Sequence, residues 1–154
     1  ALTPPMPVVV VFLVQREVAD RLTAAPGSKA YGALTAGVQV TARAERLFVV
    51  KAGAFRPPPR VDSAVVRLTP LAHPLVRPAE HGAFRGFVTA LFGARRKQIG
   101  RGLRVVTGAP KEQVDRVLGE TGLAGDQRPE VLSPQELVCL WMAARSLTPP
   151  GGGV

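Results

Sequence analysis

The sequence predicts a mixed α/β fold, with a small sheet and two helices over residues 1–70 followed by an all-helical portion. Three observations carry that expectation. The run Val8-Val9-Val10-Val11-Phe12-Leu13 is apolar without alternation and rich in β-branched residues, the pattern of a strand covered on both faces in a parallel sheet. Two more β-branched runs, around Leu47-Phe48-Val49-Val50 and Val61 to Leu68, supply neighbours for it. Beyond Pro70 the apolar residues recur with helical rather than strand period.

Each element follows in order. Gln15 to Leu22 reads as a short helix, and Pro26-Gly27-Ser28-Lys29 is turn chemistry. Ala33 to Ala42 reads as helix in spite of Gly37 and the β-branched Thr35, Val38, Val40 and Thr41. Arg46 to Lys51 is the second strand and Val61 to Leu68 the third. The loop between them, Ala52 to Arg60, is too long for a tight hairpin but suits an antiparallel pair with a functional loop. Leu71 to Pro78 lacks periodicity and marks a linker. Phe84, Phe87, Val88, Leu91 and Phe92 form one face of a helix that Gly93 can end. Pro110 opens a later helix with the stripe Val114, Val117 and Leu118, and Gly122 closes it. Ser133-Pro134-Gln135-Glu136 has capping-box spacing and starts a last helix whose face is Leu137, Leu140, Trp141 and Ala144. The expected division is 1–70, 71–147, and a disordered tail over 148–154.

Twenty Lys and Arg against 11 Asp and Glu give a net charge of +9, which calls for a polyanionic partner: RNA, DNA or an acidic membrane. One cysteine, Cys139, excludes an internal disulfide, and with only His73 and His81 there is no zinc set. A reducing, cytoplasmic compartment fits. Pro7 to Val14 has no basic flank or cleavage site and is too short to span a membrane. Cys139 and Trp141 read as buried, and the charges of Gln15-Arg16-Glu17 and Asp20-Arg21 as salt-bridged surface. No Gly-rich phosphate loop, H-E-x-x-H or G-x-S-x-G occurs, so no complete active site is legible.

Two segments point to function. In Phe55-Arg56-Pro57-Pro58-Pro59-Arg60-Val61-Asp62-Ser63 a phenylalanine precedes three stiff prolines between two arginines. Such a ring has little conformational freedom to lose and suits stacking on a nucleic-acid base, with Pro57 and Pro58 shaping the platform and Arg56 and Arg60 meeting phosphate. The competing reading makes Phe55 a core anchor and the prolines protectors of a strand edge. The second segment, Arg95-Arg96-Lys97-Gln98-Ile99-Gly100-Arg101-Gly102-Leu103-Arg104, carries no acid. Read as one helix, it aligns Lys97, Arg101 and Arg104 opposite Ile99, Leu103 and Val106, a cationic stripe able to follow phosphates. Gly100 and Gly102 there suggest close approach of a partner or a neighbouring helix.

Val14-Gln15-Arg16-Glu17-Val18-Ala19-Asp20-Arg21-Leu22, Ser28-Lys29-Ala30-Tyr31-Gly32-Ala33-Leu34-Thr35, Phe55 to Leu68 and Arg95-Arg96-Lys97 together resemble the small-subunit (16S) ribosomal RNA adenine N6,N6-dimethyltransferase family. Arg128-Pro129-Glu130 before Leu132-Ser133 resembles it too. The resemblance implies the C-terminal part of a Rossmann-like sheet followed by a small all-α domain. It also implies S-adenosyl-L-methionine as cofactor, dimethylation of two adjacent adenosines, and the immature small ribosomal subunit as partner of a monomer. Phe55 maps onto the family's target-base phenylalanine. The family's Gly-rich cofactor loop, acidic ribose ligand and N-[IL]-P-[YF] motif belong upstream of Ala1, so the chain is expected to hold no cofactor site and to be inactive alone. Thr35 and Ile99 are conservative departures. The rival readings are a non-catalytic RNA-binding ribosome-assembly factor and a basic DNA-binding module.

Overall fold

The computed structural model describes residues 8–94 and 96–147. The expected tail and Arg95 lie outside the described residues. Three strands form one sheet in the order β1-β3-β2, where β1 is Val10–Gln15, β2 is Ala42–Val50 and β3 is Ser63–Pro70. β3 runs antiparallel to both neighbours, from Val10↔Leu68 to Gln15↔Ser63 on one side and from Ala42↔Pro70 to Val50↔Ser63 on the other. β1 and β2 are therefore parallel to each other, with β3 returning between them. The expected antiparallel pair around the Ala52 to Arg60 loop is β2 with β3. A bulge between Arg46 and Phe48 makes Leu47 the extra residue, which bends the strand just before that loop.

The both-faces-buried reading of the first strand is corrected. β1 borders the described sheet and pairs antiparallel, and its residues alternate between half-buried and exposed, with Val11 55 % and Leu13 48 % exposed. The apolar run misled because β-branched residues on both faces do not reveal whether a layer covers each face. Among the described residues only one face is covered. Helix α1, Arg16–Leu22, buries Ala19 and Leu22 against Ala42, Ala64, Val66 and Leu68.

Helix α2, Ala33–Gln39, is shorter than the sequence predicts, and Ala42 begins β2 instead. The backbone explains the stop. The amides of Leu75 and Leu71 donate to the carbonyls of Val40 and Thr41 at 2.8 and 2.9 Å, so the linker takes acceptors that a continuing helix would need. At the other end Thr35 Oγ1 accepts from the Gly32 amide at 3.1 Å and donates to the Arg21 carbonyl at 2.6 Å.

Helices α3 (His81–Gly93), α4 (Ile99–Thr107), α5 (Lys111–Thr121) and α6 (Pro134–Ala144) complete the chain. Of the expected faces, Phe84, Val88, Leu91 and Phe92 on α3 are buried while Phe87 is half-buried, and Val114, Val117 and Leu118 on α5 and Leu137, Leu140, Trp141 and Ala144 on α6 are buried. Phe84 meets Trp141 edge-on at 5.5 Å between ring centres. The capping box is present, Ser133 Oγ accepting from the Glu136 amide at 3.1 Å and Glu136 Oε2 accepting from the Ser133 amide at 2.8 Å. Tyr31, Ala36 and Val40 join this helical cluster, so packing runs across the linker. Two long-range bonds fix it: Tyr31 Oη donates to the Leu132 carbonyl at 2.7 Å, and the Gly27 amide to the Glu130 carbonyl at 2.6 Å. Cys139, expected in the core, is exposed; the turn of α6 that buries Leu137, Val138, Leu140 and Trp141 leaves it on the outer side.

Candidate nucleic-acid interface

The Phe55 loop is built by the end of β2 and the start of β3. Lys51 precedes a single helical turn, Ala52–Ala54, and Phe55 caps that turn in extended conformation, its amide donating to the Ala52 carbonyl at 3.2 Å. Asp62 closes the loop. Its Oδ1 accepts from the Ala52 amide at 3.0 Å, its Oδ2 meets Lys51 Nζ at 3.3 Å, and its backbone carbonyl accepts from the Arg16 amide at 2.9 Å. The Ala52 N–H, followed by the Lys51 ammonium, holds the Asp62 carboxyl below its ordinary range. The Asp62 carboxylate thus ties the two ends of the loop together, and its backbone carbonyl joins them to the start of α1.

Phe55 is half-buried and joins neither apolar cluster among the described residues, while Arg56, Pro57, Pro58, Pro59 and Arg60 are exposed. Neither Arg56 nor Arg60 pairs with a carboxylate among the described residues.

The basic segment differs from its sequence reading. Lys97 stands in a bend before α4, which begins at Ile99, so Lys97, Arg101 and Arg104 do not share a helix face. The helix starts late because the amides of Ile99 and Gly100 donate to the carbonyls of Gln127 and Gly125, at 2.7 and 3.0 Å; this neighbouring loop takes the first turn's donors. It also accounts for Gly100, where a Cβ would stand 3.2 Å from the Gly125 carbonyl oxygen. Gly102 lets α3 approach, a Cβ there meeting Leu91 Cδ1 at 3.2 Å. Ile99 and Leu103 are buried as expected, Val106 only in part, and Arg101 and Arg104 are exposed. Arg96 is exposed and Lys97 half-buried.

Charge pairing separates these cations from many of the others. Arg21 pairs with Glu17, Arg46 with Asp20, Arg67 with Glu45, and Arg77 and Arg145 with Glu80; the salt-bridged reading of the segment after β1 holds for Glu17, Asp20 and Arg21 but not for Arg16. Arg96, Lys97, Arg101 and Arg104 have no such partner among the described residues, nor do Arg16, Lys29, Arg85 and Arg116. The sequence reading missed Asp62, although its place three residues after the prolines is visible. It also missed Lys111 and Val105, which the fold brings beside Arg101 and Arg104. Among the described residues no three His, Cys, Asp or Glu side chains gather as a metal site, and no helix is long and apolar enough to cross a membrane.

Comparison with solved structures defines the class. A dimethyladenosine transferase from Plasmodium falciparum superposes with a TM-score of 0.80 at 20 % identity, over 94 % of this chain and 60 % of that one. The 23S rRNA methyltransferase ErmE does so at 0.62 and 23 % identity, over 94 % and 57 %. The fold is therefore mixed α/β and Rossmann-like, shared with these two structures. The sequence profile described as ribosomal RNA adenine dimethylase matches residues 2–138, and the chain belongs to that family. Among its relatives, the ribosomal RNA small subunit methyltransferase A of Desulfitobacterium hafniense is 45 % identical over 126 residues, 82 % of this chain and 45 % of that protein. The protein of the same name from Nitrosococcus oceani is 40 % identical over 137 residues, 87 % and 50 %. The chain thus spans about half the length of the curated relatives it matches.

Proposed function

We propose that the chain is the base-presenting and RNA-holding part of an rRNA adenine-N6,N6-dimethyltransferase that acts on two adjacent adenosines of small-subunit rRNA. The observation that carries this reading is the Phe55 loop: a half-buried ring on a loop that Asp62 ties to Lys51, Ala52 and Arg16, followed by two cations without acid partners among the described residues. Phe55 stacks on the target adenine, Pro57 and Pro58 hold the ring's approach, and Arg56 and Arg60 meet the neighbouring phosphates. Holding the base in line with the methyl donor contributes most of the rate in such a transfer, because the exocyclic amine needs positioning more than proton transfer.

S-adenosyl-L-methionine supplies the methyl group when bound. The residues present do not fit it: the two clefts beside α4 are rimmed by arginine and lysine, and no Gly-rich turn follows β1. No step of the transfer is assigned to this chain's residues beyond holding the RNA. The work divides at the linker, with the sheet portion before residue 70 taking the base and the helical portion, through Arg95, Arg96, Lys97, Arg101 and Arg104, holding the backbone of the immature small subunit. The protein acts as a monomer in the cytoplasm.

The test is Phe55→Ala in a full-length family enzyme carrying this segment. Methylation is expected to fall much more than RNA affinity, and equal losses of the two overturn the base-platform role.

A further inference from the structure

β1 and β2 run parallel, so both end at the same edge of the sheet, β1 at Gln15 and β2 at Val50. In open α/β sheets ligands settle beyond the carboxyl ends of the strands. Two features stand at this edge: the Phe55 loop, which leaves β2, and Arg16, which follows β1 directly. Ser63 of β3 pairs with both Gln15 and Val50, which sets the two strand ends two strand spacings apart, about 10 Å.

Arg16 is tied to the loop by its backbone and uncommitted in its side chain. Its amide donates to the Asp62 carbonyl at 2.9 Å, so only the side chain is left to offer donors. That side chain is exposed and has no ion-pair partner among the described residues. The acids around it are committed elsewhere: Glu17 to Arg21 at 2.6 Å, Asp20 to Arg46 at 2.8 Å and Asp62 to Lys51 at 3.3 Å. The Asp62 carboxyl is held below its ordinary range first by the Ala52 N–H, then by Lys51, and Arg16 adds to this from beyond ion-pair distance. The guanidinium therefore lies beside the foot of the Phe55 loop, and nothing in the described fold uses its fork of donors, which matches a phosphate two bonds at a time. Lys29, Arg85 and Arg116 are unpaired as well, but they lie in the turn before α2, on α3 and on α5, away from the strand ends.

We infer that Arg16 holds the substrate beside Phe55: its guanidinium takes the phosphate that links the two adjacent adenosines. The inference rests on the base-platform reading above and adds which phosphate is held and by what. Both adenosines must be brought in turn to one methyl donor, so the phosphate between them stays at the strand ends, where Arg16 stands. Arg56 and Arg60, on the exposed prolyl loop, are left to the phosphates on either side.

The test is a double-substitution cycle on the 154-residue chain, read by fluorescence anisotropy with a short RNA hairpin whose loop carries two adjacent adenosines. Replacing the phosphate between the adenosines by a neutral methylphosphonate removes the charge that Arg16 meets. This linkage and Arg16→Gln are each expected to weaken binding by about tenfold, the loss of one charged hydrogen-bonded pair. Combined, they are expected to cost no more than either alone. Arg16→Lys keeps the charge and is expected to bind within about threefold of the unsubstituted chain. The backbone amide of residue 16 stays in place in both variants, and circular dichroism checks their folding. Losses that multiply, or Arg16→Gln binding as tightly as the unsubstituted chain, overturn the phosphate assignment and leave the base-platform reading, with its own Phe55→Ala test, standing. No binding of the hairpin by the unsubstituted chain overturns both.

Discussion

Removing one hydroxyl, in Tyr31→Phe, tests how the sheet portion is held to the helices. Tyr31 is 2 % exposed and donates to the carbonyl of Leu132, itself fully buried, 101 positions along the chain. Burial, with a smaller contribution from Glu136, pushes the hydroxyl well above the ordinary tyrosine range, so it remains a donor at neutral pH. Phenylalanine keeps the ring and its tilted contact with Phe92 at 6.1 Å, so the change isolates the bond. A buried acceptor that loses its donor costs about 1–3 kcal/mol, which for a chain of this size lowers Tm by about 2–12 °C. Urea unfolding followed by the fluorescence of Trp141, the single tryptophan, reads this as a lower midpoint with unchanged slope. A midpoint shift worth less than about 0.5 kcal/mol refutes the reasoning, because it means that the carbonyl finds another donor and that packing alone joins the two portions.

Phe84→Ala removes a fully buried ring packed on Trp141 and is expected to cost about 3–5 kcal/mol in the same unfolding assay. Asp62 has a folded-state pKa below its unfolded value, so its hold on the loop is complete above the unfolded pKa of about 3.9 and is lost as pH falls through the folded value. An NMR titration should show the Ala52 amide resonance moving at lower pH than in an unfolded reference peptide; a coincident titration removes Asp62 from its pinning role. Cys139 is exposed and should react with a thiol reagent in the native protein as fast as in the denatured one, whereas protection until unfolding would place it back in the core.

Much of the fold and half of the interface were legible in the order of residues. Helix faces such as Phe84, Val88, Leu91 and Phe92, the Ser133 capping box, the antiparallel pair around the Ala52 to Arg60 loop and the acid-free basic segment are all short-range patterns, set by steric propensity and by period. They are complete within a few turns of chain, so sequence alone determined them. It also determined the family, because motifs that lie far apart occur in register. Tertiary structure decided what depends on distant partners. Only the tertiary structure placed β3 between β1 and β2, and left Val11 and Leu13 on a face that nothing covers among the described residues. Only the carbonyls of Gly125 and Gln127 delayed α4 until Ile99 and so took Lys97 off the helix. Only the folded loop showed that Asp62 pins Phe55's support, and only the packing of α5 beside α4 brought Lys111 to Arg101 and Arg104. Each of these depends on a hydrogen bond or a contact between different elements of the fold, and no local period records which partner will arrive.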